Sequence, residues 1–203
     1  MNMISRRRFN QSLVTLAFAG LSRHLIASPA GTITASPLLA YGKLIKDPNA
    51  LIDLPVGFTY SVISSLNEKM SDGLAVPDRA DGMGCFYLDD DRVALIRNHE
   101  LSPKHKTKNP ANKRMLDLAY DSVQKAYPLP GGTSSIIYNH KLQQVEHQFM
   151  SLIGTIRNCS GGITPWNTWL TCEESTAKAD DKLTKDHGYV FEVPADATSM
   201  VKA

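Results

Sequence analysis

The most concentrated set of reactive side chains lies in residues 154–174, which read GTIRNCSGGITPWNTWLTCEE. Cys159 is followed by a serine and two glycines, and this composition predicts a turn where backbone can pass close to a ligand. Glu173 ends a predicted strand, Thr168–Glu173, and Glu174 directly follows it. A thiolate suits iron or zinc, whereas carboxylates suit calcium or magnesium. The segment therefore predicts a mixed metal site or two adjacent metal sites.

The direction of each side chain on this strand follows from the alternation of strand residues between two faces. Glu173 is expected on the inward face with Trp169, whereas Cys172 faces the other way. Glu174 can serve from the loop just past the strand. Burial as a small apolar residue is the common role of cysteine and stays an alternative for Cys159. For the other two cysteines it is the preferred interpretation.

Two further segments contain candidate site residues. Asn98 and Glu100 belong to R-N-H-E at a strand end and can ligate a metal or orient a phosphate, with a solvated loop end as the alternative. Arg79, in P-D-R-A-D-G-M-G, offers a planar guanidinium suited to phosphate, with a structural Asp–Arg pair as the alternative. Arg157 is the second candidate substrate-binding arginine.

The elements that must position these residues are mainly strands, identified as β-branched and aromatic runs bounded by turn residues. Two hairpins are predicted across the turns Asp89–Asp91 and Asn139–Lys141, and one helix is predicted over Asn112–Ala126 from its near-helical apolar spacing. The predicted strands are Phe58–Ile63, Cys85–Leu88, Val93–Arg97, Thr133–Tyr138, Val145–Met150, Thr168–Glu173 and Tyr189–Val193.

Antiparallel hairpins joined by long loops predict an all-β fold, and a β-propeller with one helical insertion is favoured over a sandwich. Residues 31–55 are rich in Pro, Gly, Ser and Ala and are expected to form an extended segment, so the propeller domain spans residues 56–203. Blades take roughly 40–50 residues each. The chain then supplies three or four blades, and an incomplete propeller is expected because closure protects edge strands.

Residues 1–30 have the order of an export signal: a basic segment, a short apolar run at Ser12–Leu21, and small residues for cleavage. Ser5–Phe9 (SRRRF) matches the twin-arginine motif, with an ordinary secretory leader or membrane anchor as the alternative. The formal charge falls from +2 to −2 when the four arginines of residues 1–30 are set aside. A weakly acidic body gives no electrostatic reason to expect nucleic-acid binding.

Five motifs, in chain order, together resemble the PhoX alkaline phosphatase family: R-A-D-G-M-G, R-N-H-E, G-G-T, R-N-C-S-G-G-I-T-P-W-N-T-W-L-T-C-E-E and H-G-Y-V-F-E-V. The resemblance runs from about Leu54 to Val193. It implies a propeller exported to the periplasm or medium by the twin-arginine route. It also implies hydrolysis of small phosphomonoesters with calcium and iron as cofactors, and membrane contact only through an uncleaved signal peptide.

The resemblance also implies roles for individual residues. Cys159 matches a thiolate shared by an iron pair, which makes it the candidate catalytic residue as a metal ligand. Glu173 and Glu174 match an acidic pair of which at least one binds metal. Asn98 and Glu100 fall in matching motifs as candidate ligands, and Arg79 does so as a candidate phosphate-binding residue.

Family members are longer and supply further carboxylates and an arginine, so this chain is expected to be a truncated form whose activity is in question. Two alternatives stay open: a non-catalytic calcium-binding envelope protein, and a propeller hydrolase that uses calcium alone. Cys159 discriminates between these and the phosphatase, because a calcium-only site has no use for a thiolate.

Overall fold

The computed structural model describes residues 41–109 and 112–203. This part of the chain divides after Tyr60 into two compact units. The predicted signal peptide lies outside the described residues. No helix in the described ranges has the length and hydropathy needed to span a bilayer.

The unit formed by residues 41–60 contains one small antiparallel pair, β1 (Leu44–Ile45) with β2 (Leu54–Pro55). Asp47 fixes the connection by accepting hydrogen bonds from the Tyr60 hydroxyl at 2.7 Å and from backbone amides. These bonds, the one from Tyr60 foremost, lower the pKa of Asp47 to about 2. The predicted strand Phe58–Ile63 does not form, because no neighbouring strand pairs with it.

The unit formed by residues 61–203 is built from a four-stranded sheet, a three-stranded sheet and a two-stranded pair, all antiparallel. Its strands in chain order are β3 (Ala80–Tyr87), β4 (Arg92–His99), β5 (Ser122–Val123), β6 (Tyr127–Pro128), β7 (Gly131–Asn139), β8 (Gln144–Thr155), β9 (Asn158–Ile163), β10 (Thr168–Glu173) and β11 (Val190–Pro194). The four-stranded sheet has the order β3-β4-β7-β8, the three-stranded sheet has the order β11-β10-β9, and β5 pairs with β6. Both predicted hairpins are confirmed, with longer strands than expected.

Two sequence predictions in this unit need correction. The predicted turn around Cys159 is part of strand β9. The predicted helix Asn112–Ala126 is a short helix, α1 (Lys113–Leu118), which starts where expected because the Asn112 side chain accepts a hydrogen bond from the third following amide. It ends at Ala119, whose backbone is extended, and the following two amides donate to β8 carbonyls instead.

The main core joins strands of both sheets around the ring of Trp169, which is buried. This ring lies against β3 and β9 at Gly84 and Gly161, where a Cβ atom would approach its carbons to 2.7 and 2.6 Å. Both positions therefore require glycine. The described residues thus form an all-β fold with one short helix, and their sheets do not close into a barrel.

Candidate metal and phosphate site

The β3–β4 and β9–β10 hairpins share one irregularity at their open ends. In each, two residues of the first strand oppose one residue of the second, which is a β-bulge, a feature common beside active sites. The bulged residues are Asp81-Gly82 and Cys159-Ser160. The flanking pairs are Ala80 with His99, Met83 with Arg97, Asn158 with Glu173 and Gly161 with Thr171.

Each hairpin is also preceded by an arginine with left-handed backbone, Arg79 at φ 53° and Arg157 at φ 52°. The carbonyl of Arg79 accepts a hydrogen bond from the Glu100 amide at 2.8 Å, and that of Arg157 accepts one from the Glu174 amide at 2.9 Å. We call residues 79–82 with Glu100 the first corner and residues 157–160 with Glu174 the second corner. The two corners are equivalent, and Asp81 and Cys159 occupy matching positions in them. Left-handed backbone in a non-glycine residue costs about 1–3 kcal/mol and clusters at functional sites.

The two corners lie side by side. A Cβ atom at Gly82 would approach the Cys159 carbonyl oxygen to 2.7 Å, so the glycine permits this contact. Asp81 and Cys159 occupy matching positions in these adjoining corners, and burial and the charge of the Asp81 carboxylate both raise the pKa of the Cys159 thiol. Arg157 joins the corners: its Nε donates to Glu100 at 2.8 Å and its guanidinium donates to Glu174 at 2.5 Å.

These five residues form the thiol–carboxylate site: Asp81, Glu100, Arg157, Cys159 and Glu174. The site contains three carboxylates and one guanidinium, which leaves two negative charges in excess when the thiol is neutral. Burial raises the pKa of Cys159, and the charges of Asp81 and Glu174 raise it further. A bound cation would offset this charge and favour the thiolate.

Asn98 holds the bulge that carries Cys159. It is fully buried, and its amide nitrogen donates to the Ser160 carbonyl at 3.0 Å. Its amide oxygen accepts hydrogen bonds from Trp169 Nε1 at 2.9 Å and from Thr171 Oγ1 at 2.8 Å. Because both acceptor positions are used, the arrangement favours a positioning role over metal ligation.

Glu173 points away from the thiol–carboxylate site into a buried cluster. Its Oε1 accepts hydrogen bonds from His187 Nδ1 at 2.7 Å and from the Ile156 amide at 2.8 Å, and its Oε2 accepts one from the Gly188 amide at 2.8 Å. His187 Nε2 lies 3.2 Å from Asp121 Oδ2. The three side chains are fully buried, which gives Glu173 a structural position.

His99 occupies the position in the first corner that Glu173 occupies in the second. Its Nδ1 contacts the Asp78 carbonyl at 3.0 Å and its Nε2 contacts Ser134 Oγ at 2.8 Å. Burial lowers the pKa of His99 to about 4, so the ring is neutral. The histidine of R-N-H-E therefore fixes the corner and lies outside the thiol–carboxylate site.

The comparison with protein families decides the family. The family described as alkaline phosphatase PhoX matches the chain over residues 39–144 and 136–203. The chain belongs to the PhoX alkaline phosphatase family. This membership supports a phosphatase-type hydrolase function at the level of the family, and all five residues of the thiol–carboxylate site lie within the matched segments. No curated protein and no solved structure matches the chain at a significant level.

Four of the seven residues predicted from the PhoX-like motifs meet in this site, namely Cys159, Glu100, Glu174 and Arg157. Asn98 lies behind it, and Glu173 lies in the separate buried cluster. Arg79 is exposed and forms no salt bridge within residues 41–109 and 112–203. Sequence reasoning missed Asp81, because Asp-Gly is a dipeptide typical of turns. The signal that could have found it is the place of Asp81 two residues after Arg79 in R-A-D-G-M-G, which matches the place of Cys159 after Arg157.

The donor set agrees in kind with the metals expected for a PhoX protein. One thiol suits iron, three carboxylates suit calcium, and the excess negative charge favours cations. In the described ranges, however, no three or more His, Cys, Asp or Glu side chains converge closely enough to hold a metal ion.

Proposed function

We propose that this chain hydrolyses small phosphomonoesters with metal ions bound at the thiol–carboxylate site. The observation that carries the proposal is the close approach of two equivalent bulged corners, one with Asp81 and Glu100 and the other with Cys159 and Glu174, which Arg157 joins. Membership of the PhoX family supports the reaction class. The metals that suit these donors are iron at Cys159 and calcium at the carboxylates.

Bound metals would supply Lewis acidity toward the phosphate and an activated oxygen nucleophile at working pH. The residues of the chain orient these components. Asp81, Glu100 and Glu174 provide oxygen ligands, and Asn98 holds the Cys159 corner in place. Glu100 and Glu174 hold the Arg157 guanidinium in this structure, and cations held by these carboxylates would leave the guanidinium available to a phosphate oxygen.

A propeller is the architecture that the sheets support best, and we include it in the proposal. The β3-β4-β7-β8 sheet is a four-stranded antiparallel unit, the composition of one blade. The β9-β10-β11 sheet supplies three strands of the next blade. The corner at the start of β9 repeats the corner at the start of β3. The first strands of the two sheets, β3 and β9, are neighbours. This is the arrangement expected of the inner strands of two adjacent blades around a common axis.

Export to the periplasm or medium by the twin-arginine route is also part of the proposal, supported by the SRRRF motif and by the family. Replacing Arg6 and Arg7 together by lysine is expected to retain the protein in the cytoplasm, and cell fractionation measures this. Normal export of the double variant would remove this part of the proposal.

The test of function combines metal analysis with hydrolysis of 4-nitrophenyl phosphate in the presence of calcium. Cys159→Ala is expected to lose bound iron and to reduce kcat by about 100-fold or more, as removal of a metal ligand does. Cys172→Ala is the matched control, because Cys172 is also half-buried and lies outside the site. Iron and activity retained in Cys159→Ala would contradict the proposal.

A calcium-only hydrolase is the second candidate function. It is favoured by the raised pKa of Cys159 and by the excess of carboxylates over thiol in the site. In that case Cys159→Ala keeps its activity with calcium alone, and Glu174→Gln loses it. The two variants therefore separate the candidates in one assay.

A further inference from the structure

A lysine-rich loop, Ser102–Asn109 (the basic loop), leaves the end of β4 directly after Leu101. Leu101 is buried, and its carbonyl accepts a hydrogen bond from the Arg157 amide at 2.8 Å. At the other end, the Asn109 amide group accepts from the Ala75 amide at 2.6 Å and donates to the Ala75 carbonyl at 2.9 Å. Both ends of the loop are therefore fixed.

His105 fixes the turn at the start of the basic loop. Its amide donates to the Ser102 carbonyl at 2.9 Å, and the Ser102 amide donates to His105 Nδ1 at 2.9 Å. Because Nδ1 accepts, the neutral ring carries its proton on Nε2 as a donor. Burial lowers the pKa of His105, and the charges of Arg79 and Lys104 lower it further.

The basic loop is positively charged, and its charges are unpaired. Lys104, Lys106 and Lys108 are exposed and form no salt bridge with any residue in the described ranges, as is also true of Arg79. A cavity of about 450 Å³ lies beside Lys106 and Lys108, and Asp78 is the one acidic residue among the described residues that line it. This volume lies within the range of small-molecule sites.

The cavity adjoins the thiol–carboxylate site through Leu101, which lines the cavity and whose carbonyl accepts the hydrogen bond of the Arg157 amide at 2.8 Å. The Arg79 carbonyl accepts the hydrogen bond of the Glu100 amide, and Glu100 contributes its carboxylate to the site. Asp78, the neighbour of Arg79, lines the cavity. A molecule whose scissile phosphate sits at the thiol–carboxylate site can therefore direct its remaining part toward the basic loop.

We propose that the basic loop and Arg79 bind a second phosphate group of the substrate. The preferred substrates are then phosphomonoesters whose alcohol carries another phosphate, such as sugar bisphosphates and nucleotides. This inference rests on the proposed function, because it concerns the substrate of the same site. Three lysines, a guanidinium and an imidazole N–H are donors that suit phosphate oxygens.

The test compares fructose 1,6-bisphosphate with fructose 6-phosphate as substrates of the full chain loaded with calcium and iron. The loop variant replaces Lys104, Lys106 and Lys108 by glutamine. The control variant makes the same change at three exposed lysines elsewhere, Lys113, Lys125 and Lys202. An exposed ion pair changes affinity by up to about fivefold. The loop variant is therefore expected to lower the ratio of kcat/KM values, bisphosphate over monophosphate, by roughly tenfold.

Binding of inorganic pyrophosphate, measured by calorimetry, gives a readout that does not need turnover, and the loop variant is expected to bind it roughly tenfold more weakly. An unchanged ratio in the loop variant, or an equal loss in the control variant, overturns the subsite. If neither sugar phosphate is hydrolysed, the proposed function fails. Pyrophosphate binding then tests the subsite by itself. Weaker binding by the loop variant, but not by the control variant, supports the subsite, and equal binding by the loop variant and the wild type overturns it.

Discussion

The buried cluster of Asp121, His187 and Glu173 predicts a large loss of stability when its histidine is removed. In His187→Ala the two carboxylates keep their positions in the fully buried cluster but lose the group between them. Removing one partner of a buried charge network costs about 3–5 kcal/mol, because the remaining charge is uncompensated. In a domain of this size each kcal/mol lowers Tm by about 2–4 °C, so the expected loss is roughly 6–20 °C.

The pH dependence of stability tests the same cluster. Burial lowers the pKa of His187, but Glu173 and Asp121 outweigh it, so the folded pKa is raised above its ordinary value. The stability due to the protonated histidine is complete below about pH 6.5 and is lost as pH rises through the folded pKa. The pKa values of Asp121 and Glu173 are lowered despite burial, because of their hydrogen bonds. Their contribution is present above about pH 4 and is lost on acidification.

The assay is urea unfolding of the wild-type protein and His187→Ala between about pH 5 and 9. The free energy of unfolding of the wild type should fall on the alkaline side, and that of His187→Ala should lack this fall. His140→Ala is the control, since His140 is exposed and lies in the β7–β8 turn. A His187→Ala protein within about 1 kcal/mol of wild type, or a wild type that gains stability above pH 7, would refute the reasoning.

Three further predictions concern the corners of the site. Gly161→Ala should destabilise the fold by about 1–3 kcal/mol in thermal unfolding, because the added methyl overlaps the Trp169 ring, whereas Gly162→Ala should stay within about 0.5 kcal/mol because its Cβ meets no atom within 4 Å. Asp81→Asn should lower the pKa of Cys159 and speed its alkylation in metal-free protein that retains only this cysteine; an unchanged rate counts against this charge effect. Asn98→Ala should cost about 2–4 kcal/mol in urea unfolding, since three buried hydrogen bonds are lost, and a smaller loss would show that water replaces the amide.

Much of the sheet structure follows from local sequence. The three aspartates at 89–91 predict the β3–β4 turn, and Asp89 does accept the backbone hydrogen bonds that close it. Strand β9 was missed because its C-S-G-G sequence has the composition of a turn. Gly161 is required because the Trp169 ring packs against the strand at that position, and this tertiary requirement leaves no local signal. The helix was predicted too long because residues after Ala119 pair with β8 instead.

The site was predictable in part, and the errors have one physical origin. Alternation along β10 placed Glu173 inward, which is correct for burial, but alternation does not say which buried space a side chain enters. A β-bulge shifts the facing of the residues that follow by one position. Asp81 lies in the bulge of β3, beside the corner that carries Cys159, although the sequence shows only a dipeptide typical of turns. The neighbouring Glu174 joins the site through Arg157 from outside the strand.

The equivalence of the two corners suggests how a fold with repeated units can build a mixed metal site. The same backbone corner, with left-handed arginine, bulge and following glutamate, carries a carboxylate at Asp81 in one sheet and a thiol at Cys159 in the next, which under the proposed function would be an oxygen and a sulfur ligand. Because the backbone fixes where each side chain projects, a change of residue type at one position alters the metal preference without moving the ligand. Exchange of the two side chains, Asp81→Cys with Cys159→Asp, should then preserve metal binding better than either single substitution.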